Sequence, residues 1–314
     1  MIKGVHHAGL SVGDLDRAIT YFRDAADFEW LPGASVHTPA YFRAVTGHVN
    51  VVARTALLRG PNCYLELVAF SSPDPGEPVQ RQVSEAGITH ICLQFHDMQT
   101  LYDRFIRAGA HVHAAPTRLG TGIDYCYTHD HEANVIELEA VPFAPHEQPP
   151  WVAHVAIATS NIERLAAFYH RVLGGQRLGG QVIGPNPLYD QLTGLKNVKV
   201  IPTWITGTNL SVELWQYLTP ATLPAPRRLF TEFGYTHICF EVDDVASELE
   251  VFQAASATCE TPILELDGGR AVLLRDPDGN FIELLELFSR HAEYALHSLQ
   301  HRDIVTRLAT LRTR

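Results

Sequence analysis

Polar and apolar positions along the chain alternate between two periods, and the alternation comes four times. Val5 to Val12 reads as a strand, and Leu15, Ala18, Ile19 and Phe22 then recur at helical spacing behind Asp14, which can cap a helix to about Ala26. Strand-like runs follow at Phe28–Leu31, Val49–Leu58 and Cys63–Phe70, and Ser71 to Gly76 has the composition of a loop. The order then restarts: strand Thr89–Phe95, helix Met98–Ala108, and strands at His111–Ala114, Gly122–Thr128 and Asn134–Ala140. A proline-rich stretch, Pro142 to Pro150, separates this half from the next. The second half predicts strand Trp151–Ala158, helix Ile162–Val172 ended by Gly174 and Gly175, and strands Gln176–Ile183, Val198–Ile205 and Leu210–Tyr217. Strand Tyr235–Val242, helix Val245–Ala255 and strands Thr261–Leu266, Ala271–Arg275 and Asn280–Phe288 complete it. After Ser289 a helical tail is expected to about Leu311, with Leu296, Leu299, Ile304 and Leu308 on one side, packed on the body or on the partner of a homodimer.

The halves are copies. Thr89-His90-Ile91-Cys92 returns as Thr236-His237-Ile238-Cys239, 147 residues later. At that offset His7 meets His154 and Glu66 meets Glu213, and Glu137 meets Glu283 at 146. The divisions are therefore 1–141, a linker 142–150, 151–288 and a tail 289–314. Length agrees, since 314 residues suffice for two domains of about 150.

Composition narrows the classes. The chain is 46% apolar, as a core-forming protein should be, and carries 24 basic against 35 acidic residues, a net charge of −11. That balance speaks against a nucleic-acid or anionic-membrane partner. No apolar run approaches the ~18 residues of a membrane span, and Met1 to His7 lacks a signal-peptide core. Five cysteines (Cys63, Cys92, Cys126, Cys239, Cys259) without a Cys-x-x-Cys pair fit a reducing cytoplasm, the expected location.

Chemistry enters through the repeated polar residues. On strand Asn62–Phe70, Leu65 and Leu67 face one way, and Tyr64, Glu66 and Val68 the other. On Leu210–Tyr217, Ser211, Glu213, Trp215 and Tyr217 share a face opposite Leu210, Val212 and Leu214. The apolar faces should pack under helices and the mixed faces should line a concave interior. A carboxylate there is costly unless paired or metal-bound. One strand histidine is ordinarily a hydrogen-bonded core residue, but the order His, Glu, His, Glu in each half predicts nitrogen and oxygen ligands for a divalent metal.

The chain resembles the vicinal oxygen chelate superfamily, which includes glyoxalase I, methylmalonyl-CoA epimerase, extradiol dioxygenases and fosfomycin or bleomycin resistance proteins. The motifs are His7-Ala8-Gly9-Leu10-Ser11-Val12, Thr89-His90-Ile91-Cys92 and Asp276-Pro277-Asp278-Gly279-Asn280-Phe281-Ile282-Glu283, within a likeness spanning residues 4 to 288. The first-half turn, Asp130-His131-Glu132-Ala133-Asn134, lacks the proline and glycine, which leaves its shape open. The resemblance implies an α+β fold of four βαβββ modules, paired into two curled mixed sheets, with a C-terminal helix added. It implies ligands His7, Glu66, His90 and Glu137 in the first half, and His154, Glu213, His237 and Glu283 in the second. Zn, Ni, Co, Mn or Fe(II) would suit them.

Among the family's chemistries, a fourth ligand at Glu66 or Glu213 resembles glyoxalase I, where a metal holds two adjacent substrate oxygens and stabilises an enediolate. Glu66, Glu137, Glu213 and Glu283 are then the candidates for moving the proton. The expected function is a metal-dependent lyase or isomerase. An Fe(II) extradiol dioxygenase is the alternative, with iron on His154, His237 and Glu283. Its signature tyrosine is replaced by Leu273, and Leu264–Leu274 holds no histidine; Tyr127 fits in the first half, but Arg118–Gly120 holds no histidine either. A metal-free binding or resistance protein is the weakest reading. Tyr64, Trp215, Tyr217, Tyr125 and Tyr127 suit a small substrate with an aromatic or apolar body, and equally suit plain core filling.

Overall fold

A computed structural model describes residues 1–119, 122–224, 227–288 and 293–312. The first module runs β1 (Ile2–Ser11), α1 (Leu15–Ala26), β2 (Glu29–Leu31), α2 (Pro39–Thr46), β3 (Val52–Arg59), β4 (Tyr64–Ser72). The second runs β5 (Gly87–Phe95), α3 (Met98–Arg107), β6 (His111–Val112), β7 (Thr117–Arg118), β8 (Asp124–His129), β9 (Val135–Ala140). The third has β10 (Trp151–Ala158), α4 (Ile162–Leu173), β11 (Arg177–Gly179), α5 (Pro187–Thr193), β12 (Lys199–Ile205), β13 (Ser211–Thr219). The fourth has β14 (Gly234–Val242), α6 (Val245–Ala254), β15 (Thr258–Cys259), β16 (Leu264–Leu266), β17 (Gly269–Arg275), β18 (Phe281–Leu287). The long helix of each module starts on a side-chain cap that accepts a backbone N–H: Asp14, Asp97, Asn161 and Asp244. These caps keep the repeat offset, 161 − 14 and 244 − 97 both being 147.

The modules pair across the halves. One sheet has the order β15-β17-β18-β14-β1-β4-β3-β2, with β16 beside β17; the other is β11-β12-β13-β10-β5-β9-β8-β6, with β7 beside β8. The seams are antiparallel, β1 on β14 and β5 on β10, and inside each module first and last strands run parallel. Thus the first and fourth modules form one bowl, and the second and third form the other. Each repeated half gives one module to each bowl.

One core joins the backs of both sheets to α1, α3, α4 and α6, and takes Leu65, Leu67, Val212 and Leu214. Separate clusters fill the two bowls. Tyr41, Val68, Phe70 and Phe230 belong to the first; Tyr127, Tyr189, Trp215 and Tyr217 belong to the second. The tail is not one helix. A 3-10 turn, Leu296–Ser298, and α7 (Ile304–Arg312) are separate, so the single stripe divides. Leu296 and Leu299 pack with Leu31 and Tyr64, while Ile304 and Leu308 pack with Val141 and Trp151. The start of the expected tail helix, residues 289–292, lies outside the described residues.

Candidate metal centres

Because the modules cross over, the expected ligand sets regroup. His7, Glu66, His237 and Glu283 meet in the first bowl; His90, Glu137, His154 and Glu213 meet in the second. The grouping by halves, and the iron set His154, His237 and Glu283, do not come together. A fixed offset finds equivalent positions but cannot tell which copy pairs with which.

In the first bowl, His7 Nε2 lies 2.9 Å from His237 Nε2, 3.7 Å from Glu66 Oε2 and 3.5 Å from Glu283 Oε2. The glutamates arrive through register: Gly9 pairs with Glu66, and Cys239 with Glu283. Gly9 is needed, since a Cβ there would stand 2.2 Å from the His237 ring.

Outer contacts fix these side chains. His6 Nε2 is 2.6 Å from the Tyr294 carbonyl and must donate to it, and His6 Nδ1 lies 2.8 Å from His7 Nδ1. Burial lowers the pKa of His6, and burial with the charges of His237 and His6 lowers that of His7 well below normal. With both rings neutral, His7 Nδ1–H donates to His6, so the His7 Nε2 lone pair faces the centre. Thr236 Oγ1 holds His237 Nδ1 at 2.9 Å.

His37 was missed by sequence reasoning. Its Nδ1 is 2.6 Å from Glu66 Oε1 and its Nε2 is 2.6 Å from Glu283 Oε1. Burial alone would lower its pKa, but Glu283 and Glu66 outweigh that and raise it to about 10. The imidazolium then donates to both carboxylates. His37 Nδ1 and Nε2 are thus committed outward from the centre, while Glu66 Oε2 and Glu283 Oε2 have no hydrogen-bond partner among the described residues.

In the second bowl, His154 Nε2 is 2.9 Å from both Glu137 Oε2 and Glu213 Oε2. His90 Nε2 is 3.3 Å from Glu137 Oε2, and Thr89 Oγ1 holds its Nδ1 at 3.0 Å. Against burial, which would raise it, His154 and His90 bring the Glu137 pKa down to about 2. Tyr127 lies opposite Glu137 on the neighbouring strand, its ring 5.1 Å from His90. Glu139 sits behind, capped by Gln94 at 2.5 Å, and burial followed by the Glu137 charge raises its pKa to about 7. His96, two residues beyond Gln94, packs on Phe95 and His146. Tyr64 lies outside the centre, stacked on His6.

Both centres gather buried acceptors with too few donors. Glu66 Oε2 and Glu283 Oε2 in one, and Glu213 Oε2 and His90 Nε2 in the other, have no hydrogen-bond partner among the described residues, a donor set suited to a cation. Two nitrogens and two carboxylate oxygens fit a divalent transition metal. The Asp130 and Asp276 turns share one geometry. Each carboxylate accepts backbone N–H from residues two and four ahead, and Ala133, φ 65°, takes the place of Gly279, φ 91°.

The bowls differ in what fills them. At the repeat offset of 147, His37 corresponds to Gly184, and Phe230 to Val83. Phe230 stacks on His237 with ring centres 5.2 Å apart, and Tyr41 stacks on His37 at 3.8 Å. Beside Val36 and Thr38 lies a cavity of about 20 Å³, and a larger one of about 650 Å³ runs past Arg228, Thr236 and Phe281 at the edge of this bowl. The second bowl opens, past Val83 and Tyr127, into a cavity of about 270 Å³ rimmed by His113, His129 and Thr193.

Two sheets of nine strands, each closing on two histidines and two glutamates, define a duplicated double-bowl protein with paired metal-type centres. The chain belongs to the glyoxalase/bleomycin resistance protein/dioxygenase superfamily, whose model matches residues 4–138 and 151–284. Glyoxalase I from Zea mays is 19% identical, with 95% of this chain and 96% of that chain covered and a TM-score of 0.64. A candidate dioxygenase from Bacillus subtilis is 12% identical, with 99% and 96% covered and a TM-score of 0.62. At such identities the likeness speaks for the fold. No curated protein matches the chain.

Proposed function

We propose that the protein is a metal-dependent lyase or isomerase of glyoxalase type, working in the second bowl on His90, Glu137, His154 and Glu213. One observation carries the choice of bowl: the second opens past Val83 and Tyr127 into a cavity of about 270 Å³, whereas in the first Phe230 lies over His237. When bound, a divalent metal would polarise two adjacent substrate oxygens and offset the charge of an enediolate.

The chain's own groups divide the remaining work. Glu137, gripped by both histidines, stays ionised and serves as a ligand. Glu213, whose Oε2 lies 2.9 Å from His154 Nε2, takes the proton from the substrate carbon and returns it to the neighbour. Tyr189, Trp215 and Tyr217 wall the bowl with aromatic surface, and they exclude water from the proton transfer. At the rim, burial and then the charge of His113 bring the His129 pKa to about 4, so that ring is neutral near pH 7. Arg81 is paired with Glu232 at 3.2 Å. A compact substrate with an apolar or aromatic body and two adjacent oxygens suits this lining.

The test is hydrogen exchange at the carbon of 2-hydroxy ketones and 2-oxo aldehyde adducts, followed by NMR in D2O with Zn, Ni or Co protein. Exchange that Glu213→Gln abolishes supports the reading; no exchange with any of these metals opposes it. Tyr127, opposite Glu137, favours a second reading as a ring-cleaving dioxygenase. Oxygen uptake by the Fe(II) protein with catechols, absent in Tyr127→Phe, would select it.

A further inference from the structure

Resting on the reading that both quartets hold metal, we infer that the first bowl is a closed, metal-retaining centre in which His37 fastens both glutamates. The second bowl then exchanges its metal through its cavity.

A metal leaves a site when its ligands swing aside one at a time. In the first bowl each glutamate is held at both ends. Glu66 Oε1 and Glu283 Oε1 lie 2.6 Å from the two nitrogens of one His37 ring, while the Oε2 atoms face the centre. Neither carboxylate can rotate without breaking its bond to His37. That ring cannot yield easily, because Tyr41 lies flat on it at 3.8 Å and 12° and Phe42 meets its edge at 5.7 Å. The histidine ligands are held as firmly: His6 fixes His7, Thr236 fixes His237, and Phe230 covers the His237 face. The side chains of His7, His37, His237 and Glu283 are 0% exposed and that of Glu66 is 2%.

The second bowl lacks this frame. Position 184 is glycine, position 153, which answers to His6, is alanine, and the wall at position 83 is valine. Its cavity gives water and a chelator a path toward Tyr127, which touches His90. Groups that hold a ligand from behind commonly change metal affinity by about 10–100-fold when removed. His37 holds two ligands at once, so its loss should show at the upper end of that range.

The experiment loads the full chain with cobalt(II), adds excess EDTA, and follows cobalt content and the visible cobalt spectrum with time. Two equivalents should bind; one should leave quickly, and the other at least about tenfold more slowly. His37→Ala should speed the slow release about 10–100-fold, and His37→Gln, able to keep one of the two contacts, should fall between. The fast phase should stay unchanged in both, which reports an intact fold; should His37→Ala not fold, His37→Gln carries the comparison. A single release phase in the wild type overturns the inference. So does a slow phase indifferent to His37, or one removed by Glu137→Gln and kept by Glu283→Gln. Less than one bound equivalent would instead remove the metal reading itself. One equivalent, retained in Glu283→Gln, would leave that reading standing and sink the closed centre alone.

Discussion

Glu137 and Glu283 are equivalent positions with different neighbours. Glu283 is tied to His37 and sealed, whereas Glu137 lies beside Tyr127 below an open cavity. Glu137→Gln should therefore lower turnover by about 100-fold or more, the span of a disturbed proton-transfer and metal shell. Glu283→Gln should leave most of it; equal losses in steady-state assays would contradict the division of labour. The pH response of His37 gives a second expectation for the metal-free chain. Its pKa rises on folding from an ordinary ~6.5 to about 10. The folded state thus binds the extra proton, and the stabilisation is complete below about pH 6.5 and fades as the pH rises toward 10. In thermal unfolding with EDTA, the midpoint gap between wild type and His37→Gln should be widest near pH 6 and smallest near pH 10. A gap that widens with pH would show that His37 is neutral in the fold. The eight residues of the two quartets were legible in the sequence, because side-chain type recurs at a nearly fixed offset. His37 was not, because neither Gly184, at the offset of 147, nor its neighbours Ile183 and Pro185 carries an imidazole, and the repeat gives no signal there.

At the scale of elements, the strands and long helices of the modules follow from period and caps, while α2 and α5 lie where the sequence pattern predicts no element. Both are short, at eight and seven residues, and lie between strands. A signal was nevertheless present. Thr38-Pro39 and Asn186-Pro187 are each a capping residue followed by proline at the first helical turn, and Gly47 and Gly194 end the helices in left-handed conformation. These helices matter because α2 presents Tyr41 to His37 and α5 brings Tyr189 into the second bowl. The expected strand Gln176–Ile183 shrank to Arg177–Gly179, since Gly179, Gly180 and Gly184 take positive φ and break the extended run. The loop after β4 supplies Val83, as the loop after β13 supplies Phe230, so this connection sets how full each bowl is. Val83→Phe should copy the first bowl's filling into the second. Turnover should fall or KM rise several-fold while two equivalents of metal still bind. Unchanged kinetics, measured beside metal analysis, would show that substrate enters elsewhere.

At the scale of the molecule, duplication and pairing are separate facts. The repeat defines halves at 1–141 and 151–288, yet every seam between modules within a sheet joins strands from opposite halves, β1 to β14 and β5 to β10. Nothing in one half's sequence distinguishes pairing with its own second module from pairing with the other half, because both leave the same residues facing a bowl. The tail adds to the crossed arrangement: Leu296 packs beside β2 and β3 of one sheet, and Ile304 packs against Trp151 at the start of β10 in the other. A half chain should therefore fail in a specific way. Residues 1–149 alone would expose β1 and β5 as unpaired edges of ten and nine residues. Such edges seek a partner. The fragment should sediment as a dimer or larger species, and mixing it with 150–314 should restore both metal centres. A monomeric 1–149 fragment binding one metal tightly through His7, Glu66, His90 and Glu137 would refute the crossed assembly. Dimers with metal that loses affinity on Glu66→Gln and on Glu137→Gln alike would agree with it, since each bowl of such a dimer takes one module from each copy.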